Sequence, residues 1–161
     1  MGFHEANKKG KYGEAVTKQF LEARGCVVVD TSSHRFFQVN GVDIVFEKDN
    51  KAGLMDVKTD YNPSSNLFIE TLSNTTTEKP GCIFSTKADW WQYYKVEQDT
   101  AYLFTPADMR SHIEDNVFRE VSTQTHINNA DFYETRGLLV PISGAPIQAT
   151  FEHYSGYFSE L

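Results

Sequence analysis

Two short apolar runs with a polar turn between them constrain this chain more than any other stretch. Gly41-Val42-Asp43-Ile44-Val45-Phe46 is followed by Glu47 to Gly53, and then by Leu54-Met55-Asp56-Val57-Lys58-Thr59. The Asp-Asn-Lys and Gly residues of the middle segment carry turn chemistry, so the pair reads as a β-hairpin. Side chains alternate faces along a strand, which puts Asp56 and Lys58 on one face of the second strand. Asp43 lies on the neighbouring strand, within reach of the same spot. Two carboxylates and an ammonium thus meet on a sheet otherwise built of Val, Ile, Phe, Leu and Met. Apolar strands seldom carry such charges inward unless they are paired or hold a metal. A buried Asp–Lys salt bridge is the plain alternative.

Upstream, Lys11 to Arg24 has helical spacing, with Val16, Phe20 and Leu21 on an apolar face and Gly25 as the stop. Glu14 lies on this helix. It either pairs with Lys18 four residues on or reaches the hairpin carboxylates. The order is a helix with Glu14, a strand with Asp43, then Asp56-Val57-Lys58. It resembles the PD-(D/E)xK nuclease superfamily, and within it the archaeal-type Holliday junction resolvase branch, including its phage-type members. The resemblance covers about residues 10–105. The family's Pro before the first Asp is Val42 here.

The resemblance implies a restriction-endonuclease-like α/β core, a central mixed sheet flanked by helices, with a C-terminal extension from about residue 106. It implies a metal-dependent DNA endonuclease, with Mg²⁺ as cofactor and Mn²⁺ as substitute. Asp43, Asp56 and the Val57 carbonyl would be metal ligands, and Glu14 would complete the site. Lys58 would orient the attacking water or stabilise phosphate charge. Lys18, His34, Arg35 and Thr59 would contact DNA. Branched DNA is the favoured substrate, and paired cuts across a junction imply a homodimer. The alternatives are a nuclease on linear duplex, flap or single-stranded DNA, and an inactive nuclease fold that only binds. The iron–sulfur exonuclease branch is disfavoured, because two cysteines cannot supply a four-thiolate cluster.

Composition sets the remaining bounds. The 161 residues suffice for one domain with a core. A net charge of −7 argues against indiscriminate nucleic-acid binding, although Lys8, Lys9, Lys11, Lys18 and Arg24 make the N-terminal region locally basic. Cys26 and Cys82, in apolar runs, read as buried free thiols of a cytosolic protein. No apolar run is long enough for a membrane span.

Further along, Met1 to Lys9 reads as a frayed arm and Cys26 to Asp30 as a buried strand. Thr31 to Arg35 reads as a loop, and Leu67–Glu70 and Gly81–Ser85 as strands. Trp90 to Tyr94 should be mainly core, with Trp91 and Tyr93 inward. Thr100 to Phe104 should be a strand and Pro106 to Asn116 a helix. Residues 117–134 look irregular, and Gly137 to Ile142 strand-like. The central sheet is expected to have four or five strands. The aromatic segments at Trp90–Tyr94 and Phe151–Phe158 are candidate dimer interface.

Overall fold

The expected hairpin lies inside a six-stranded mixed sheet. The computed structural model describes residues 3–128 and 130–157. In chain order the elements are α1 (Phe3–Ala23), β1 (Val27–Asp30), α2 (Arg35–Val39), β2 (Ile44–Lys48), β3 (Lys51–Asp60), β4 (Asn66–Asn74) and β5 (Lys79–Pro80). There follow α3 (Cys82–Ser85), β6 (Trp90–Lys95), β7 (Thr100–Phe104), α4 (Pro106–Asp115), β8 (Arg119–His126), β9 (Phe132–Pro141) and β10 (Ala149–Glu152). The central sheet runs β1-β2-β3-β6-β7-β10, and a second, four-stranded sheet runs β5-β4-β9-β8. All pairings are antiparallel except β3 with β6. The expected α/β class with a central mixed sheet is what the chain forms, with six strands rather than four or five.

The β2–β3 turn is tighter than its composition suggests. Lys48 pairs with Lys51, and Asp49 and Asn50 take φ of 51° and 62°. Two left-handed residues of this type make the tight hairpin turn whose twist matches its strands. β3 then runs on through Thr59 and Asp60 into the centre of the sheet.

Each face of the central sheet has its own core. On one, α1 lays Val16, Phe20 and Leu21 against Ile44, Met55, Val57 and Tyr94. On the other, Trp91, Tyr93 and Phe104 pack with Leu67, Ile69, Val140 and Met109, so the second sheet and α4 cover it. The two periodicities meet at β3: Met55, Val57 and Thr59 face α1, while Asp56 and Lys58 face the second sheet. Gly13 permits the first contact, because a Cβ there would collide with the Thr59 side chain.

Several expectations change. α1 begins at Phe3, so Lys8 and Lys9 lie on a helix and not on a frayed arm. Met1 and Gly2 lie outside the described residues. β1 is an exposed edge strand rather than a buried one, with Val27 65% exposed, because only β2 pairs with it. Arg35 to Val39, read partly as loop, forms α2. Cys82 to Ser85 is a helical turn, not a strand. β4 continues to Asn74. Residues 119–126 and 132–134 are strand, not irregular. Their Ser, Thr and Gln side chains stand on a solvated sheet, so apolar alternation is absent. Trp91, Tyr93 and Tyr94 are buried, which removes the Trp90–Tyr94 segment as a dimer interface. Phe151, Tyr154 and Tyr157 pack around Phe20, with centroids 4.8, 4.5 and 5.5 Å away, so the tail returns to α1. Phe158 lies outside the described residues.

Candidate active site

The site begins where β2 and β3 part. The Asp43 backbone N–H still donates to the Met55 carbonyl, at 2.9 Å. Its carboxylate then turns inward, and Oδ2 accepts the Val57 N–H at 2.8 Å. A side chain thus takes the place of a ladder partner and fixes Asp43 beside Asp56. Asp56 is 1% exposed; its Oδ1 is 2.8 Å from Lys58 Nζ, and its buried Oδ2 has no hydrogen-bond partner. Lys58 keeps 31% of its side chain exposed and lies 5.0 Å above the Trp91 ring, a cation–π contact.

Burial pushes the Asp43 carboxyl up, and the charge of Asp56 pushes it further, to about 7. Lys58 and the Val57 N–H oppose that rise, and Glu14 adds to it. Lys58 goes the other way from its burial. Burial disfavours the ammonium, but Asp56 foremost reverses this and holds it above its usual range. The site therefore holds an acid, Asp43, that resists ionising beside Asp56, and a lysine that stays charged.

A cavity of about 220 Å³ opens on the Lys58 side of β3, lined by Lys58, Asp60, Glu70, Cys82, Trp91 and Tyr93 among others. Glu70 and Cys82 come from the far wall, where Glu70 Oε1 accepts the Cys82 N–H at 3.3 Å. The two cysteines are free, and burial raises the Cys82 thiol to about 12, which leaves it neutral and unreactive. Glu70 reads in the sequence either as a neighbour of the metal site or as an exposed strand end; its pairing with Cys82 is not legible there, because β4 and α3 reach the site only through tertiary packing. The floor is held by a buried ion pair: Lys95, 0% exposed, lies 2.8 Å from Asp60 Oδ2 and also donates to the Asn66 carbonyl at 3.1 Å. Tyr93 donates to the same Asp60 oxygen at 3.1 Å and accepts the Phe68 N–H at 3.0 Å.

The other expected residues are placed differently. Glu14 does not pair with Lys18. It lies 3.2 Å from Lys11, which also donates to Ser32 Oγ at 2.6 Å, while Lys18 faces Glu22 at 3.9 Å. Glu14 is felt at Asp43 as charge, but it is not gathered into the aspartate pair as a third ligand. Among the described residues, no group of three or more His, Cys, Asp or Glu side chains is drawn together to hold a metal ion. Thr59 has its hydroxyl buried towards α1, and the residue also lines the cavity beside Lys58. His34 and Arg35 stand exposed at the start of α2, where the His34 ring meets Phe37 at 5.6 Å. Asp89, to which the sequence assigns no chemistry, ties β6 to β3: its Oδ2 accepts the Leu54 N–H at 2.9 Å.

The residues present still suit a hard divalent cation. An unpartnered buried carboxylate oxygen beside a second carboxyl that cannot ionise cheaply is what a cation would relieve. Mg²⁺ needs only one or two protein carboxylates, since it keeps several waters.

A direct consequence concerns pH. In the unfolded chain Asp43 titrates near 3.8, and in the folded chain near 7. Its contribution to stability is complete below about pH 4 and is lost as pH rises through 7. Asp43→Asn keeps the acceptor for the Val57 N–H and removes the charge. Thermal melts in chelator should show the variant close to wild type at pH 4 and more stable at pH 8, by roughly 5 °C. Parallel curves for the two proteins would overturn this reading of the site.

No protein-family model matches this chain, and no curated protein matches it. Among solved structures, a bacterial homing endonuclease, I-Ssp6803I, is similar with a TM-score of 0.43 at 18% identity. The match covers 62% of this chain and 64% of that one, under two thirds of its length. At this level the likeness is one of fold alone.

Proposed function

We propose that this chain is a metal-dependent DNA endonuclease of the PD-(D/E)xK type. The observation that carries the reading is the Asp43–Asp56 pair, with one orphaned carboxylate oxygen, held against a charged lysine that lines the neighbouring cavity. A purely structural ion pair would leave neither the orphaned oxygen nor the second acid.

Asp43 and Asp56 would hold Mg²⁺, with the Val57 carbonyl as a further oxygen. The ion, when bound, supplies Lewis acidity at the scissile phosphate and at water. The chain's own groups do the rest. Asp56 anchors the Lys58 ammonium, which projects into the cavity as a donor to phosphate oxygens. Its raised pKa makes Lys58 an electrostatic stabiliser of the charge that develops in the transition state, rather than a base. Trp91 packs beneath it and limits its rotamers. Glu14, held by Lys11, acts on Asp43 through its charge.

Branched DNA as the favoured substrate, and a homodimer placing two sites in register for it, belong to the same proposal. The test compares four-way junction, flap, linear duplex and single strand with Mg²⁺ or Mn²⁺, and follows thermal stability against metal concentration. Metal-dependent cleavage together with a stabilising shift supports the endonuclease reading. Symmetric paired cuts in the junction support its branched-DNA form. Absence of both cleavage and shift would overturn the reading in favour of a nuclease fold that only binds.

A further inference from the structure

A second cavity, of about 390 Å³, lies between α1 and the residue that follows β3. Glu5, Lys8, Lys9, Tyr12 and Tyr61 line it. Its size falls in the range of small-ligand sites, about 300–1,000 Å³. Lys9 Nζ lies 5.0 Å over the Tyr61 ring and 3.0 Å from Glu5. Tyr12 packs on Tyr94 at 6.3 Å, which anchors that wall to the core. Two ammonium groups against one carboxylate make the cavity locally cationic on a chain whose net charge is −7.

Its position gives this chemistry a use. Tyr61 follows Lys58 by three residues, just past the end of the same strand, and Tyr12 precedes Glu14 by two on the same helix. Lys11, next to Tyr12 on that helix, is the Glu14 partner. The cavity therefore shares α1 and β3 with the candidate active site but lies on the α1 face of the sheet, opposite the face that bears Asp56 and Lys58. Aromatic rings beside lysines take a base by stacking and its phosphate by charge, and every base has a face to stack. A base inside a duplex is already stacked on both sides and cannot enter a concave site.

We infer that the cavity walled by Tyr12, Tyr61, Lys8 and Lys9 receives an unpaired nucleotide of the bound DNA. This rests on the endonuclease reading and narrows its substrate to DNA with a single-stranded or flapped segment. Glu5 competes with the phosphate for Lys9, so Glu5→Gln should tighten binding.

The test is fluorescence anisotropy of labelled oligonucleotides with the full chain in chelator, where binding is read without cleavage. Single-stranded and flapped DNA should bind about tenfold more tightly than blunt duplex of the same sequence. Tyr61→Ala and Lys9→Gln should lose that preference, and Tyr61→Phe should keep it. Should Tyr61→Ala fold poorly by thermal melt, Lys8→Gln and Lys9→Gln carry the test alone. Equal binding of all DNA forms would overturn the inference. So would displacement of the strand by inorganic polyphosphate equally from wild type and Tyr61→Ala, or tighter binding of single-stranded RNA than of DNA. The two readings fail separately. A strand preference that depends on Tyr61, without metal-dependent cleavage, would remove the nuclease and leave the nucleotide site. Cleavage indifferent to Tyr61 would do the reverse.

Discussion

Asp56→Ala should abolish metal-dependent cleavage, by about 10³-fold or more, while the protein still folds. Loss of one preorganised electrostatic group in a dry site costs about 10²–10³ in rate, and Asp56 serves twice. It supplies the orphaned oxygen for a cation and it anchors Lys58. Stability should change little at neutral pH. Lys58 is partly exposed and can be hydrated once its partner is gone, and Asp43 loses the repulsion that raised its pKa. The stabilising shift with Mg²⁺ should disappear in the same variant. Cleavage at the wild-type rate by a folded Asp56→Ala protein would remove Asp56 from the mechanism.

Asp60→Ala should have the opposite profile, with a large loss of stability caused by a residue outside the cation site. Lys95 is fully buried, and Asp60 is its only charged partner among the described residues. Removing one member of a buried pair leaves an uncompensated charge and costs about 3–5 kcal/mol. Tyr93 loses its acceptor in the same stroke. Denaturant unfolding should show the midpoint falling sharply, and the double variant Asp60→Leu/Lys95→Met should recover most of the loss. A single variant as stable as wild type would mean that water reaches Lys95.

What the sequence shows and hides follows from how local each signal is. The hairpin, α1, β7 and α4 are legible because period and turn chemistry are written within a dozen residues. Asp43, Asp56 and Lys58 are legible for the same reason: a period of two fixes their faces before any packing is known. Cys82 to Ser85 is a short apolar run, and such runs do not distinguish strand from helical turn. β8 is hidden because its sheet is solvated and needs no apolar face. Glu14 is legible as a helix residue, but its partner is not, since Lys11 and Lys18 are nearly equidistant in sequence. The Tyr61–Lys9 contact joins residues 52 positions apart and depends on α1 extending back to Phe3. No local pattern announces it.

The second sheet is assembled from two separate detours. β4 and β5 lie in the crossover between β3 and β6, and β8 and β9 lie between β7 and β10. Neither detour can build that sheet without the other, and β4 meets β9 only after some 65 intervening residues have been made. Pairings this distant are slow, because loop closure precedes any gain from contact. During synthesis the hairpin bearing Asp43, Asp56 and Lys58 emerges with β4 close behind it, but well before β9, the strand that pairs with β4. The nascent chain thus carries its paired carboxylates beside a β4 that still lacks its sheet partner, and that wall is fixed only when residues near 140 have left the ribosome.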